Sequence, residues 1–280
     1  MEEWKNGEFL TLIYIQYFRI DIIKKRPLNM DSKRLIYIVI IIVLSTSCSH
    51  KTWTITNVSS IKIPINKNAD INSNQSYIAY LQPIKQKVDA EMDEVIGVAA
   101  ETMTGHSPES LLSNFSADVY RQAATDYMGS KVDISIVNLG GLRTVINAGN
   151  ITLRKVFELM PFENELVVIW IKGDKLMELL QYFAGMGGEG ISGLRMEIEN
   201  GKAVNVSIHG NQLDNNKLYC IATNDYLAGG NDKMVQLAQF EKRVNTGVKI
   251  RTILLNFIKA ETKKGNKIQS QLDGRIKKNN

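Results

Sequence analysis

The sequence predicts an α/β or α+β fold: a mixed β-sheet with flanking helices, in a single domain. Three observations carry this. Short β-branched runs alternate with segments of helical periodicity. No long linker, repeat or low-complexity tract interrupts residues 77–280. Two apolar runs flank Asn200-Gly201, a strong hairpin signal.

Taken in order, Ile84 to Met92 has helical spacing and Glu94 to Glu101 reads as a strand. Asn114 to Tyr127 places Phe115, Val119, Ala123 and Tyr127 on one helical face. Val132 to Val137 reads as a buried strand. Thr152 is placed to N-cap a short helix ending at Leu159, before Pro161 stops it. Leu166 to Ile171 is a continuous apolar run suited to a central strand, and Gly173 leads into a helix over Asp174 to Phe183. Gly185 to Gly190 reads as a loop. The strands Leu194 to Ile198 and Ala203 to Ile208 form the hairpin, and Lys217 to Thr223 is a further strand. Asp232 to Phe240 and Lys249 to Lys259 read as the last helices.

The N-terminal region reads as an address. Lys33 and Arg34 precede an uninterrupted apolar run from Leu35 to Leu44, followed by Ser45, Thr46, Ser47 and Cys48. A run of this length suits a signal peptide and is short for a membrane span of about 20 residues. Residues 30–48 therefore resemble a bacterial lipoprotein signal, with Cys48 as the lipidation site. Residues 1–29 fit no such scheme, because Gln16, Arg19 and Asp21 break their apolar stretch; a start at Met30 would make them a non-native upstream extension. Residues 49–76 are polar and read as a tether from a membrane anchor to the domain at 77–280. These features predict an exported bacterial lipoprotein, periplasmic or at the cell surface. Cys220, the second of two cysteines, lies in a strand-like run and reads as a core thiol.

The formal net charge is +5, but beyond residue 48 the chain carries 27 basic and 24 acidic residues. That excess is too small and too scattered for a nucleic-acid interface. The basic residues near the C-terminus read as a solvated tail.

Three loops, each at the end of a predicted element, carry chemistry. The first is Asn138-Leu139-Gly140-Gly141-Leu142-Arg143. Its glycines admit close approach of the backbone, Asn138 offers a donor and an acceptor, and Arg143 can grip an anion with two parallel hydrogen bonds. A plain turn with a nearby arginine reads the same way. The second is Met160-Pro161-Phe162, whose ring suits either a site or the core. The third is Asn224-Asp225-Tyr226-Leu227-Ala228-Gly229-Gly230-Asn231-Asp232. Tyr226 can stack on a base, and Asp232 can accept from a ribose diol or cap the following helix.

In this order the three loops resemble the C-terminal domain of the 5'-nucleotidase family. Ile191-Ser192-Gly193-Leu194-Arg195 and Asp273-Gly274-Arg275-Ile276 add to the likeness, which runs from Tyr77 to Ile276. The resemblance implies that Phe162 and Tyr226 sandwich a nucleobase and that Asn138 contacts it. It implies that Arg143 meets the anionic groups, that Asp232 binds ribose, and that Gly140, Gly141 and Gly230 shape the substrate-binding loops. Two departures matter. The family's further arginines before the helix near Asn114 are replaced here by His106-Ser107-Pro108-Glu109-Ser110-Leu111-Leu112-Ser113. An extra residue, Asn231, stands between the paired glycines and Asp232.

The family's hydrolytic half carries two metals on Asp-x-His and Gly-Asn-His motifs. None of His50, His106 and His209 sits in such a motif. No catalytic residue, metal site or cofactor is therefore assigned to this chain. The reading is the nucleotide- or nucleoside-binding half of a split 5'-nucleotidase, with divalent metals held by a separate metallophosphoesterase partner chain. Capture of nucleosides without hydrolysis, and a purely structural interaction role, are the alternatives.

Overall fold

The computed structural model describes residues 31–45, 54–62 and 74–279. The chain divides into two compact units, Met1–Ile71 and Asn72–Asn280. In the first, helix α1 (Ser32–Ser45) contains the apolar run. No described helix is long and apolar enough to cross a membrane. Cys48, residues 1–29 and much of the tether lie outside the described residues.

The second unit opens with helix α2 (Gln75–Met92), capped by the Asn74 side chain, which accepts from the Tyr77 N–H. It starts nine residues earlier than the sequence pattern predicts, because Pro83 lies inside a helix that buries no residue. Strands β1 (Val95–Ala99) and β3 (Gly149–Thr152) form an antiparallel pair. Helix α3 (Leu111–Met128) follows β1, closed at its N-terminus by a reciprocal Ser110–Ser113 capping box. Strand β2 (Ile134–Val137) precedes β3, and helix α4 (Leu153–Leu159) begins where the Thr152 hydroxyl accepts from the Lys155 N–H at 3.2 Å.

Strand β4 (Glu165–Lys172) runs directly into helix α5 (Gly173–Met186). Next come β5 (Gly190–Ser192), β6 (Leu194–Glu199), β7 (Lys202–Ile208) and the short β8 (Asn211–Gln212). Asn200 and Gly201 both have positive φ, 50° and 73°, as the predicted two-residue hairpin requires. Strand β9 (Leu218–Asn224) leads into the one-turn helix α6 (Asp225–Ala228); β10 (Lys242–Lys249), α7 (Ile250–Lys263) and β11 (Ile276–Asn279) complete the chain.

A mixed five-stranded sheet in the order β10-β4-β9-β2-β5 organises this unit. Only β9 and β2 are parallel neighbours within it. A second sheet runs β11-β6-β7-β8. The continuous apolar character of β4 has a simple cause, since both its faces are covered. Leu166 and Val168 join a core with α3 and α7, whereas Val167, Ile169 and Ile171 join a second core with α5 and the smaller sheet.

The predicted helix Asp232 to Phe240 is not formed. Asp232 and Lys233 adopt positive φ, 53° and 62°, which no α-helix accommodates, and only a 3-10 turn over Val235–Ala238 remains. Strands β3, β5, β8, β10 and β11 lie outside the strands that the sequence predicts. Cys220 is buried in β9; burial, with Asp133 nearby, pushes its thiol up to about 11, so it is held as an unreactive core group.

Candidate functional site

The sheet topology gathers the three loops at one end. Strands β2 and β9 are parallel, so Asn138 and Asn224 leave the sheet on the same side. Strand β4 is antiparallel to β9 and pairs Leu166 with Asn224, which brings the residues entering β4 to that end. Strand β5 pairs Gly190 with Val137, so the loop before β5 arrives there too. Ligands of open sheets collect at such strand ends.

A cavity of about 350 Å³ opens there. Its lining includes Asn138, Gly140, Gly141, Arg143, Phe162, Tyr226 and Asp232, drawn from all three sequence loops. Gly230 does not line it; with φ at 83°, it turns the chain between α6 and Asp232. Sequence reasoning missed Met160, Asn164 and Asn224, which also line the cavity. Their nearness to Pro161-Phe162 and to Tyr226 was the signal available.

Asp232 is the polar centre. Its Oδ1 accepts from the Tyr226 hydroxyl at 2.9 Å, and its Oδ2 accepts from Asn138 Nδ2 at 2.6 Å. The hydroxyl of Tyr182 donates to the Asp232 carbonyl at 3.2 Å. The sequence alternative of a helix cap is thus replaced by two side-chain contacts. A carboxylate has about four acceptor positions, so these two bonds leave capacity for a ligand hydroxyl pair. The hydrogen bond to Asp232 holds the Tyr226 hydroxyl above its ordinary range.

Asn138 is almost wholly buried, and it begins the tight turn Leu139–Gly141. A Cβ at Gly141 would lie 2.7 Å from Asn138 Oδ1, so a side chain there would displace the Asn138 amide. Asn224 is also buried; its Oδ1 accepts from the Leu227 N–H at 2.8 Å and starts α6, which presents Tyr226. Asn231 Nδ2 donates to the Tyr226 carbonyl at 2.8 Å, so the residue that departs from the family pattern braces the loop.

Phe162 and Tyr226 remain 42% and 43% exposed, so neither large ring belongs to the core. Arg143 lies with its guanidinium carbon 6.0 Å from the centre of the Phe162 ring, and its Nη1 donates to the Gly140 carbonyl at 3.1 Å. It is the one basic residue of the lining, and Asp232 is the one acidic residue. The 106–113 segment, where the family's further arginines are absent, contributes nothing to the lining.

Among the described residues, no group of three or more His, Cys, Asp or Glu side chains is arranged to hold a metal ion. The residues of this site do not fit a metal centre. The lining instead sets two part-exposed aromatic rings beside one carboxylate and one guanidinium.

Comparisons with known proteins agree with this architecture. The family model described as 5'-nucleotidase, C-terminal domain matches residues 94–239, which include all three loops. The 5'-nucleotidase of Vibrio parahaemolyticus serotype O3:K6 is 25% identical over 199 residues, covering 69% of this chain and 35% of its own length. That of Vibrio cholerae serotype O1 is 24% identical over 266 residues, covering 93% and 42%. The solved structure of a 5'-nucleotidase precursor from Thermus thermophilus superposes with a TM-score of 0.63 at 28% identity, covering 74% of this chain and 43% of that one. The matched region thus accounts for about a third to two fifths of these relatives' length. The chain belongs to the 5'-nucleotidase C-terminal domain family.

Proposed function

We propose that the cavity binds a nucleoside or nucleoside monophosphate, and that the chain serves as the substrate-holding part of a 5'-nucleotidase whose metals reside on a separate chain. The observation that carries the reading is the meeting of three sequence-distant loops on one cavity. The 350 Å³ volume, near the lower end of small-molecule sites, suits a ligand of nucleoside size. The exposed rings of Phe162 and Tyr226 offer faces for a base. Asp232 offers acceptors for the ribose diol, and Arg143 offers a bidentate donor for a phosphate. Helix α2, just ahead of the matched region, supports a partner. Its first ten residues carry no charge, and Tyr77 and Tyr80 are 62% and 68% exposed. The lipoprotein signal at residues 30–48, with Cys48 as the acylated residue, would hold the domain at an exported membrane surface.

One observation favours a second reading, nucleoside capture without hydrolysis: a single arginine lines the cavity. Phosphate release from AMP with added divalent metal separates the two. The full chain is assayed in mild detergent, alone and with the product of the neighbouring gene. Activity only in the mixture is the expected result. No activity in either, with adenosine binding intact, moves the function to capture.

Arg143 supplies a further expected result. Arg143→Ala weakens AMP by about tenfold more than adenosine, in line with a charge-assisted hydrogen bond of about 1.5–3 kcal/mol. Isothermal titration with both ligands checks it; equal losses would remove Arg143 from the phosphate position.

A further inference from the structure

We propose that Glu189 is a positioning residue for this site, holding the Asn138–Gly141 turn in its ligand-binding shape. This rests on the nucleoside reading for the ligand but not for the contact itself. Glu189 stands in the loop between α5 and β5, outside the cavity lining. Its Oε2 accepts from the Leu139 N–H at 2.7 Å, in the middle of the turn that carries Asn138 and Gly141. The turn's other internal bonds are local, from the Gly141 N–H to the Asn138 carbonyl and from the Leu142 N–H to the Leu139 carbonyl. Glu189 thus ties the turn to a different part of the fold.

The loop that carries Glu189 is itself fixed. The Ser107 hydroxyl donates to the Gly188 carbonyl at 2.9 Å. Gly188 lies so close to Pro108 that a Cβ would meet its carbonyl oxygen at 2.5 Å, and its φ of 121° admits no ordinary side chain. Gly190 lies against the Val137 carbonyl on the other side. A carboxylate mounted on so rigid a support transmits position rather than absorbing it.

The surroundings also make this carboxyl responsive near neutrality. Burial pushes Glu189 up to about 7; the Leu139 and Gly190 N–H groups oppose that rise, and the Asp232 charge adds to it. The titratable residues on the elements around it include Asp232 and Tyr226 from the third loop, Tyr182 from α5, Arg143 beyond the turn, and His106 and Glu109 on either side of Ser107-Pro108. Because burial outweighs those hydrogen bonds, the buried position favours the protonated carboxyl, whose carbonyl oxygen still accepts from the Leu139 N–H. A carboxyl raised in this way makes its contact weaker as pH climbs through about 7, so the turn is held more firmly below neutrality than above it.

The experiment is adenosine binding by calorimetry at pH 6 and pH 8 for the full chain, Glu189→Gln and Glu189→Ala, with the Leu139 amide followed by NMR over the same range. Adenosine has no group that titrates in this window. The wild-type chain should bind several-fold more tightly at pH 6 than at pH 8. Glu189→Gln keeps an acceptor without the charge, so its affinity should not change with pH. Glu189→Ala should bind about fivefold more weakly at pH 6 than wild type, the loss of one hydrogen bond. The Leu139 amide shift should titrate in wild type and stay constant in Glu189→Gln. A Leu139 amide insensitive to pH in wild type overturns the proposal, as does Glu189→Ala binding adenosine with wild-type affinity. If the amide titrates but no variant, wild type included, binds adenosine, the contact stands and the nucleoside reading falls.

Discussion

Arg275→Ala is expected to destabilise the folded chain by about 3 kcal/mol, the lower end of the cost of breaking a buried ion pair. Arg275 is 7% exposed, and every donor of its guanidinium is used. Nη1 and Nη2 grip the two oxygens of Asp118 at 2.9 and 3.1 Å. Nε and Nη2 reach those of Asp273 at 3.0 and 3.2 Å, and Nη1 also donates to the Ile191 carbonyl at 2.9 Å. One side chain thus joins α3, β5 and the C-terminal segment, whose next residues pair as β11 with β6. Its removal strands the Ile191 carbonyl, takes the shared cation from Glu109 and Asp118, and leaves Asp273 with Arg195 alone. The lower figure applies because Asp118 and Asp273 keep some solvent contact, with side chains 43% and 27% exposed. Arg275→Lys should fall between, since an ammonium cannot match two carboxylates bidentately. Urea denaturation checks both; a loss under about 0.5 kcal/mol for alanine would contradict this account. The same site predicts an acid response. Burial is the largest influence on Asp273 and raises its pKa, but Arg275 and Arg195 together hold it below the ordinary carboxylate range. A depressed carboxylate contributes stability above its unfolded pKa and loses it as pH falls through the folded value. The wild-type chain should therefore lose stability below about pH 4, and Arg275→Ala should show less of that loss.

The sequence exposed those features whose cause is local. Thr152 caps a helix with its own hydroxyl, Asn200-Gly201 makes a hairpin because both residues tolerate positive φ, and β4 is apolar throughout because both its faces are covered. It concealed features whose cause lies in the neighbour. Strand β10 reads Lys-Arg-Val-Asn-Thr-Gly-Val-Lys, a polar stretch that becomes a strand because the edge of β4 needs partners for its N–H and C=O groups. Strand β11 is polar for the same reason, on the edge of β6. The site divides in the same way. Asn138, Arg143, Phe162, Tyr226 and Asp232 stand in recognisable loops, and the topology brings them to one cavity. Glu189 belongs to no motif. Its role depends on a contact across fifty residues to Leu139 that no local pattern announces. Asp232 shows the limit most clearly: its residue type fits a helix cap, and only the fold directs its carboxylate to Tyr226 and Asn138.

Phe162→Ala and Tyr226→Ala are each expected to weaken adenosine by about 1–3 kcal/mol, the usual worth of one aromatic ring stacked on a base. In dissociation constants that is roughly five- to 150-fold. Neither loss should come from unfolding, because both rings are about two fifths exposed and outside the two cores. Tyr226 allows the ring to be separated from its hydroxyl. Tyr226→Phe keeps the stacking face and removes only the hydrogen bond to Asp232, which lies at the surface where water replaces the lost donor. Its affinity should fall less than threefold, while the alanine variant carries the full effect. Phe162 differs, because its ring also lies beside the Arg143 guanidinium. Phe162→Ala should therefore cost AMP somewhat more than adenosine, whereas Tyr226→Ala should cost the two ligands equally. Calorimetry on the four proteins with the two ligands measures every term. Alanine variants that bind adenosine as wild type does would take the rings out of the site. A Tyr226→Phe variant as weak as Tyr226→Ala would shift the recognition from stacking to the Asp232 hydrogen-bond network.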